Sequence, residues 1–132
     1  MKTLQMMRTP VTTVDASLPA EEAWRLMEEE HIRHLVVLGE GEVLGVLSER
    51  DLGGTRGRSV RLGQAVGELM SGEVVTVQQD MDVRDAAALL SGCRVGCLPV
   101  LDGDQLVGII TRADFIELLA GPAVQLKRSS TA

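Results

Sequence analysis

Residues 43–52 read VLGVLSERDL, and residues 106–115 repeat the same pattern as LVGIITRADF. In both copies a short aliphatic and β-branched run, typical of a β-strand, leads into a hydroxyl residue with Asp three positions later. A hydroxyl followed by an acid at that spacing is typical of a helix N-terminus. The sequence therefore predicts, twice, a strand that runs directly into a capped helix. Free backbone N–H groups and the positive end of the helix dipole make such a junction suitable for an anion, especially a phosphate.

The repeat extends far beyond these ten residues. At an offset of 63 residues the chain aligns with itself, without a gap, from Met7/Met70 to Leu52/Phe115. Each unit reads as β-α-β-β-α and is too small to bury its own sheet well. We therefore predict an α/β (α+β) fold in which the two repeats pack face to face about a pseudo-twofold axis, with equivalent sites in two related clefts.

Hydrophobic periodicity and turn residues predict the same elements in each repeat: a short strand, a helix and a hairpin of antiparallel strands. In the first repeat the predicted elements are 11–14, 20–30, 32–38 and 42–47. In the second repeat they are 74–77, a helix capped by Asp82, 95–101, 106–110, and a last helix at 113–120 that Gly121-Pro122 ends.

The segment between the repeats reads as a connection. Residues 53–63 are glycine-rich and polar, which predicts a linker, and Gly53-Gly54 should stop the helix that begins at Asp51. The linker arginines are expected to be solvated, with phosphate contact as the alternative. Residues 66–70 are predicted to form a helical turn that leads into the second repeat. Trp24 lies off the inner stripe of the first helix. Core or rim packing is the expected role, and a surface used by another subunit is the alternative.

Composition excludes several classes of function. Hydrophobic residues make up 45% of the 132 residues, which is enough for a packed core, but aromatic residues make up only 2%. The net charge of −6 and the lack of aromatic side chains for stacking argue against nucleic acid as a partner. There is no signal-peptide pattern and no apolar run of ~18 residues, so we expect a cytoplasmic protein without a membrane partner.

The two cysteines, Cys93 and Cys97, are four positions apart with no second pair. A zinc site needs about four ligands, and His31 and His34 are distant in sequence. Two cysteines are also weak support for a disulfide framework. We therefore expect free thiols in a reducing compartment and no metal.

These features together resemble a tandem pair of cystathionine-β-synthase-type (CBS) domains, a Bateman module. The resemblance lies in the Met before the first strand, the helix with its Ala and Leu-Met or Leu-Leu pair, and the strands RHLVV at 33–37 and GCLPV at 96–100. It also lies in the Gly-x-x-[Ser/Thr]-x-x-Asp motif that closes each copy. The resemblance implies a single module at 1–132, with repeats at 7–55 and 70–121, a linker and lead-in at 56–69, and a tail at 122–132.

Such modules are regulatory and bind adenosine ligands: AMP, ADP or ATP, and sometimes S-adenosylmethionine. The resemblance thus implies a stand-alone sensor that binds an adenine nucleotide, forms a homodimer and signals in trans to an unidentified effector protein. A ligand-free structural module that works by dimerisation is the alternative, as is an S-adenosylmethionine sensor. No nucleophile–base pair, metal cluster or P-loop is visible, so we do not expect an enzyme.

The resemblance also assigns site residues. The candidates for nucleotide binding are Arg33, His34, Ser48, Arg50, Asp51, Gly96, Cys97, Thr111, Arg112 and Asp114. The two aspartates match the ribose-binding position, where a carboxylate accepts two hydrogen bonds from a vicinal diol. Ser48 and Thr111 match a hydroxyl that reaches ribose or phosphate, and Arg33 with His34 matches the basic pair that contacts phosphate.

Each assignment has a structural alternative. Ser48 and Thr111 can act as helix N-caps alone, with the aspartates only completing capping boxes. His34 can be a packed strand residue, and arginines in the first helical turn are more often solvated than bound to a ligand.

The phosphate ligands are not duplicated, because Gly96 and Cys97 stand where the first repeat has Arg33 and His34. Gly96 instead leaves room for an adenine ring. We therefore expect two unequal sites, with the stronger one in the cleft that receives Arg33. The sequence leaves open which aspartate shares that cleft.

Overall fold

The structure is a computed structural model, and it describes residues 1–93 and 95–120. Strands and helices follow in the order β1 (Thr13–Asp15), α1 (Ala20–Glu30), β2 (His34–Gly39), β3 (Glu42–Ser48), α2 (Arg58–Arg61), α3 (Val66–Leu69), β4 (Val77–Gln78), α4 (Val83–Gly92), β5 (Cys97–Asp102), β6 (Gln105–Thr111) and α5 (Arg112–Ala120). Short 3₁₀ turns lie at Thr3–Gln5 and Gly54–Arg56. No helix among the described residues is long and apolar enough to span a membrane.

The six strands form two three-stranded sheets with the same topology, β1-β2-β3 and β4-β5-β6. In each sheet the first pair is parallel and the second antiparallel. Even the irregularities match, because the register shifts between Val37 and Leu38 in one sheet and between Val100 and Leu101 in the other. The predicted α+β fold of two equivalent repeats is confirmed.

Several element boundaries differ from the sequence-based prediction. β1 and β4 are shorter than expected, because only three residues of β1 pair with β2 and only two residues of β4 pair with β5. The helix expected at Asp51 is only a turn, because Gly53 and Gly54 adopt φ of +86° and +68°, which end helical geometry at once. Asp82 caps α4 as predicted by accepting a 2.8 Å hydrogen bond from the Arg84 N–H. The proposed stop at Gly121-Pro122 lies outside the described residues.

The two repeats exchange their lead-in segments. Met6 and Met7, at the start of the chain, pack against the core of the second repeat. In return, the α3 residue Val66 is fully buried in the core of the first repeat, with Met70 packed against it. Neither core is complete without the other repeat, which answers the problem of a unit too small to bury its own sheet.

A buried arginine fixes the connection between the repeats. Arg61 in α2 is only 3% exposed, and its Nε lies 2.8 Å from a carboxylate oxygen of Glu21 on α1. Its Nη1 donates to the carbonyls of Leu52 and Gly54, and its guanidinium stacks over the Trp24 ring at 4.4 Å. The prediction that the linker arginines are solvated is therefore wrong for Arg61. Trp24 is buried beneath it, as a core residue.

Candidate functional site

A continuous cleft of about 1070 Å³ lies where the C-terminal ends of β3 and β6 meet. Eight of the ten candidate residues line it: Arg33, His34, Ser48, Arg50, Asp51, Gly96, Thr111 and Arg112. The sequence predicted two related clefts, whereas both equivalent sites open into this one. Gly96 and His34, from the two repeats, both line it.

The Asp51 half of the cleft is built by a reciprocal capping box. The backbone N–H of Ser48 donates to Asp51 Oδ2 at 2.8 Å, and the backbone N–H of Asp51 donates to Ser48 Oγ at 3.1 Å. Asp51 is half-buried, and among the described residues nothing donates a hydrogen bond to its other oxygen, Oδ1. The capping role and a ligand-binding role are therefore compatible, because the cap engages only one carboxylate oxygen.

In the Asp114 half, one carboxylate oxygen is bound as in the Asp51 half and the other is bound differently. The Thr111 N–H donates to Asp114 Oδ2 at 2.8 Å, as in the first repeat. The second oxygen, Oδ1, accepts a hydrogen bond from the Arg8 Nε–H, which also forms an ion pair with it. Asp114 is only 7% exposed and does not line the cleft. This hydrogen bond and the charge of Asp114 raise the pKa of the Arg8 guanidinium above its ordinary value.

His34 and Gly96 meet across the middle of the cleft. A Cβ built on Gly96 would lie 2.9 Å from His34 Nε2. The imidazole therefore occupies part of the space beside Gly96 in which an adenine ring was expected. Burial lowers the pKa of His34, and the negative charge of Asp51 opposes that effect. His34 is therefore a contact between the repeats as well as a group lining the cleft.

Three arginines predicted for the site behave differently. Arg33 is highly exposed at the rim, and its Nε lies 3.6 Å from a Glu49 carboxylate oxygen. Arg50 is exposed and lines the cleft. The Arg112 guanidinium instead donates to the Leu90 carbonyl at 2.9 Å, at the end of α4. Arg33 and Arg50 are therefore the predicted cations most accessible to a phosphate.

Cys97 lies behind the cleft surface. It is 1% exposed, and burial raises the pKa of its thiol to about 12. Both cysteines are free, and Cys93 is half-buried. Within the described ranges no group of three or more His, Cys, Asp or Glu side chains is placed to hold a metal ion. Cys97 can contribute shape to the site but not a thiolate.

Sequence reasoning missed Arg8 and Ser71, which also line the cleft. They are equivalent positions at the offset of 63, directly after the matched Met7 and Met70. The repeat alignment could therefore have indicated that positions 8 and 71 occupy equivalent places. The residues themselves differ, however, and nothing local indicates that position 8 reaches an aspartate 106 positions further along the chain.

Comparison with known proteins agrees with this architecture. A family model of the CBS domain matches residues 3–52 and 66–121. The CBS domain-containing protein YhcV of Bacillus subtilis is 33% identical over 109 residues, which cover 82% of this chain and 78% of YhcV. In three further curated relatives the matched stretch is between 21% and 37% of the relative's length.

Solved structures show the same fold. The structure of CBSX2 in complex with AMP has a TM-score of 0.73 at 26% identity, covering 89% of this chain and 95% of that one. The CBS domain pair of protein MJ0100, in complex with 5′-methylthioadenosine and S-adenosyl-L-methionine, has a TM-score of 0.81 at 24% identity, covering 92% and 97%. The second likeness supports the fold alone. With two matched repeats, a shared topology and this coverage, the chain belongs to the CBS domain family.

Proposed function

We propose that the protein is a regulatory module that binds an adenine nucleotide, AMP, ADP or ATP, in the Asp51 half of the cleft and signals to a partner protein. The observation that carries the proposal is the Asp51 carboxylate, which lines the cleft and has one oxygen without a protein donor among the described residues. CBSX2, which shares the fold at 26% identity, is described in complex with AMP.

Asp51 suits a ribose for a geometric reason. Its Oδ2 is fixed by the Ser48 N–H, so the carboxylate is oriented before any ligand arrives. An ionised carboxylate has about four acceptor positions, and the capping bond uses one of them. A vicinal diol can then donate to the remaining positions without disturbing the capping box.

The phosphate end of the ligand has cationic partners on the same side. Arg33 and Arg50 line the cleft close in sequence to Asp51, and neither guanidinium is buried. A charge-assisted hydrogen bond from arginine contributes roughly 1.5–3 kcal/mol, about one to two decades in affinity. We therefore assign the phosphate to this rim.

A ligand panel tests the proposal. AMP, ADP, ATP and S-adenosylmethionine are added separately to the purified protein and the melting temperature is measured, because a ligand that binds only the folded state raises it. We expect the three nucleotides to stabilise the wild type and to stabilise Asp51→Asn much less. Asp104→Asn, which changes an exposed aspartate in the β5–β6 turn, is the matched control.

Three other outcomes would change the assignment. Stabilisation by S-adenosylmethionine alone would favour the alternative sensor. No effect from any adenosine ligand would favour a ligand-free module that acts by dimerisation or docking. Steady hydrolysis of ATP in the same samples, lost in Asp51→Asn, would contradict a purely regulatory role.

A further inference from the structure

The two halves of the cleft are related by the repeat, so they can be compared position by position. Arg8 pairs with Ile109 of β6 through two backbone hydrogen bonds, of 2.9 and 3.2 Å. At the equivalent place, Ser71 pairs with Val46 of β3 through bonds of 3.0 and 3.1 Å. The exchanged lead-in segments therefore place position 8 beside β6, where Arg8 contacts Asp114, and position 71 at the equivalent place beside β3, the strand that precedes Asp51.

These equivalent residues have opposite effects on their aspartates. The long Arg8 side chain reaches Asp114, and its Nη2 also lies 3.5 Å from Glu117 Oε1. The Ser71 side chain is too short to do the same, and its Oγ–H donates to the Glu73 carbonyl at 3.5 Å. Asp114 consequently has both oxygens engaged, whereas Asp51 has only one engaged within the described part of the chain.

A ribose cannot easily replace Arg8. Its hydroxyl groups are neutral donors, whereas the Arg8 contact joins two charges, which favours it over a neutral hydrogen bond even though the Arg8 side chain is 57% exposed. Displacing the guanidinium would also leave Asp114, which is 7% exposed, without a cationic partner. Because Asp114 also does not line the cleft, its half is closed to a diol while Arg8 remains in place.

We propose that positions 8 and 71 determine which half of the cleft accepts a nucleotide: Arg8 closes the Asp114 half, Ser71 leaves the Asp51 half open, and the chain binds one nucleotide. This inference rests on the proposed function. It differs from the sequence-based expectation, in which Arg33 and His34 alone made the sites unequal.

Reciprocal substitutions test it, because each gives one half the residue of the other. Calorimetric titration with AMP is expected to give one binding event per chain in the wild type and two in Arg8→Ser. In Ser71→Arg we expect affinity to fall by about tenfold or more, as a new guanidinium competes for Asp51. Arg84→Ser, which removes an exposed arginine on α4, is the control for lost charge. If Arg8→Ser does not fold, Arg8→Gln replaces it and keeps most of the aliphatic stem.

The outcomes separate this inference from the proposed function. Two equal sites in the wild type, or a single site in Arg8→Ser, would overturn the inference and leave nucleotide binding intact. If no variant binds AMP, the proposed function fails together with the one-nucleotide count, and ¹⁵N NMR of arginine Nε–H groups then tests only whether Arg8 closes the Asp114 half. A slowly exchanging Arg8 signal that disappears in Asp114→Asn supports closure by Arg8. A signal that exchanges as fast as that of exposed Arg25 overturns it.

Discussion

The imidazole of His34 lies against Gly96, in contact with both repeats, and is surrounded by charges of both signs. Burial is the main cause of its lowered pKa. The negative charges of Asp51, Asp114 and Glu49 act in the opposite direction, and that of Arg33 in the same direction. His34 is therefore held in its neutral form to a lower pH than an exposed histidine.

This environment predicts a pH-dependent stability. The unfolded chain protonates His34 near pH 6.5 and the folded chain only at lower pH, so the unfolded state binds more protons in that window. The contribution of His34 to the free energy of unfolding is complete above about pH 6.5 and is lost as pH falls toward the folded pKa. Urea unfolding at about pH 7.5 and about pH 5.5 should show a loss that is reduced in His34→Gln.

His31→Asn is the control, because His31 is exposed and its φ of 55° is one that Asn tolerates. An unchanged pH dependence in His34→Gln would contradict the assignment. Tighter nucleotide binding near pH 6 than near pH 8, which the sequence suggested, remains a prediction. Because the pKa of His34 is lowered, any gain in nucleotide affinity from its protonation begins at a more acidic pH, unless a bound phosphate raises this pKa.

At the scale of single residues, the sequence predicted what local spacing can report. The capping geometry of Ser48 with Asp51, and the bond between Thr111 and Asp114, follow directly from a hydroxyl and an acid three positions apart. Arg8 escaped prediction because its partner is distant in the chain, and charge alone does not distinguish a solvated arginine from a bound one. The burial of Arg61 was not predicted for the same reason, because its partner Glu21 lies 40 positions away in the chain.

At the scale of elements, the close packing of the exchanged lead-in segments explains a matched pair of glycines. A Cβ on Gly45 would lie 2.5 Å from the Ser71 carbonyl oxygen and 2.7 Å from Met70 Sδ. A Cβ on Gly108 would collide with Met7 in the other repeat. β3 and β6 therefore need glycine at these positions so that the methionine of the opposite repeat can cross over them.

We accordingly expect Gly45→Ala and Gly108→Ala to destabilise the protein. Overpacking at a tight contact costs roughly 1–3 kcal/mol in the free energy of unfolding. Gly72→Ala is the matched control, because nothing lies within 4 Å of a Cβ there. Denaturant unfolding of the three variants measures the difference, and equal midpoints would show that the lead-in segments do not pack as described.

The elements themselves were largely predictable, because amphipathic periodicity reports which residues are buried. The bounds of α1 agree with the prediction, and those of β3 and α5 differ by one residue. The exchange was not predictable in the same way. Periodicity shows that Met7 and Val66 have an apolar surface to bury, but not which of two similar cores buries it.

At the scale of the whole molecule, exposed apolar side chains on α5 support the expected homodimer. Ile116 is 67% exposed and Leu119 is 86% exposed in the part of the chain that the structure describes. Exposed apolar surface of this kind is typical of an interaction site, and a second copy offers the same surface in symmetric form.

We expect light scattering after gel filtration to give twice the mass of one chain at tens of micromolar protein, and a lower mass for Leu119→Glu. Leu62→Glu, which places the same charge on an exposed leucine after α2, is the control. A wild-type protein that remains monomeric at this concentration would contradict the prediction. A dimer lost only in Leu62→Glu would move the interface away from α5.

The overall arrangement of two pseudo-equivalent repeats could be predicted because the sequence aligns with itself at one constant offset of 63 residues. The joining of both sites into one cleft could not, because it depends on how the two repeats pack against each other. The same limit applies to the inequality of the two halves, which follows from contacts between repeats and not from either repeat alone.

In the proposed function Asp51, and not its equivalent Asp114, holds the nucleotide. Calorimetric titration of AMP into the wild type, Asp51→Ala and Asp114→Ala tests it most directly. We predict one binding event in the wild type, loss of that event in Asp51→Ala, and its retention in Asp114→Ala. Binding that survives in Asp51→Ala, or that disappears only in Asp114→Ala, would show that Asp51 does not hold the nucleotide.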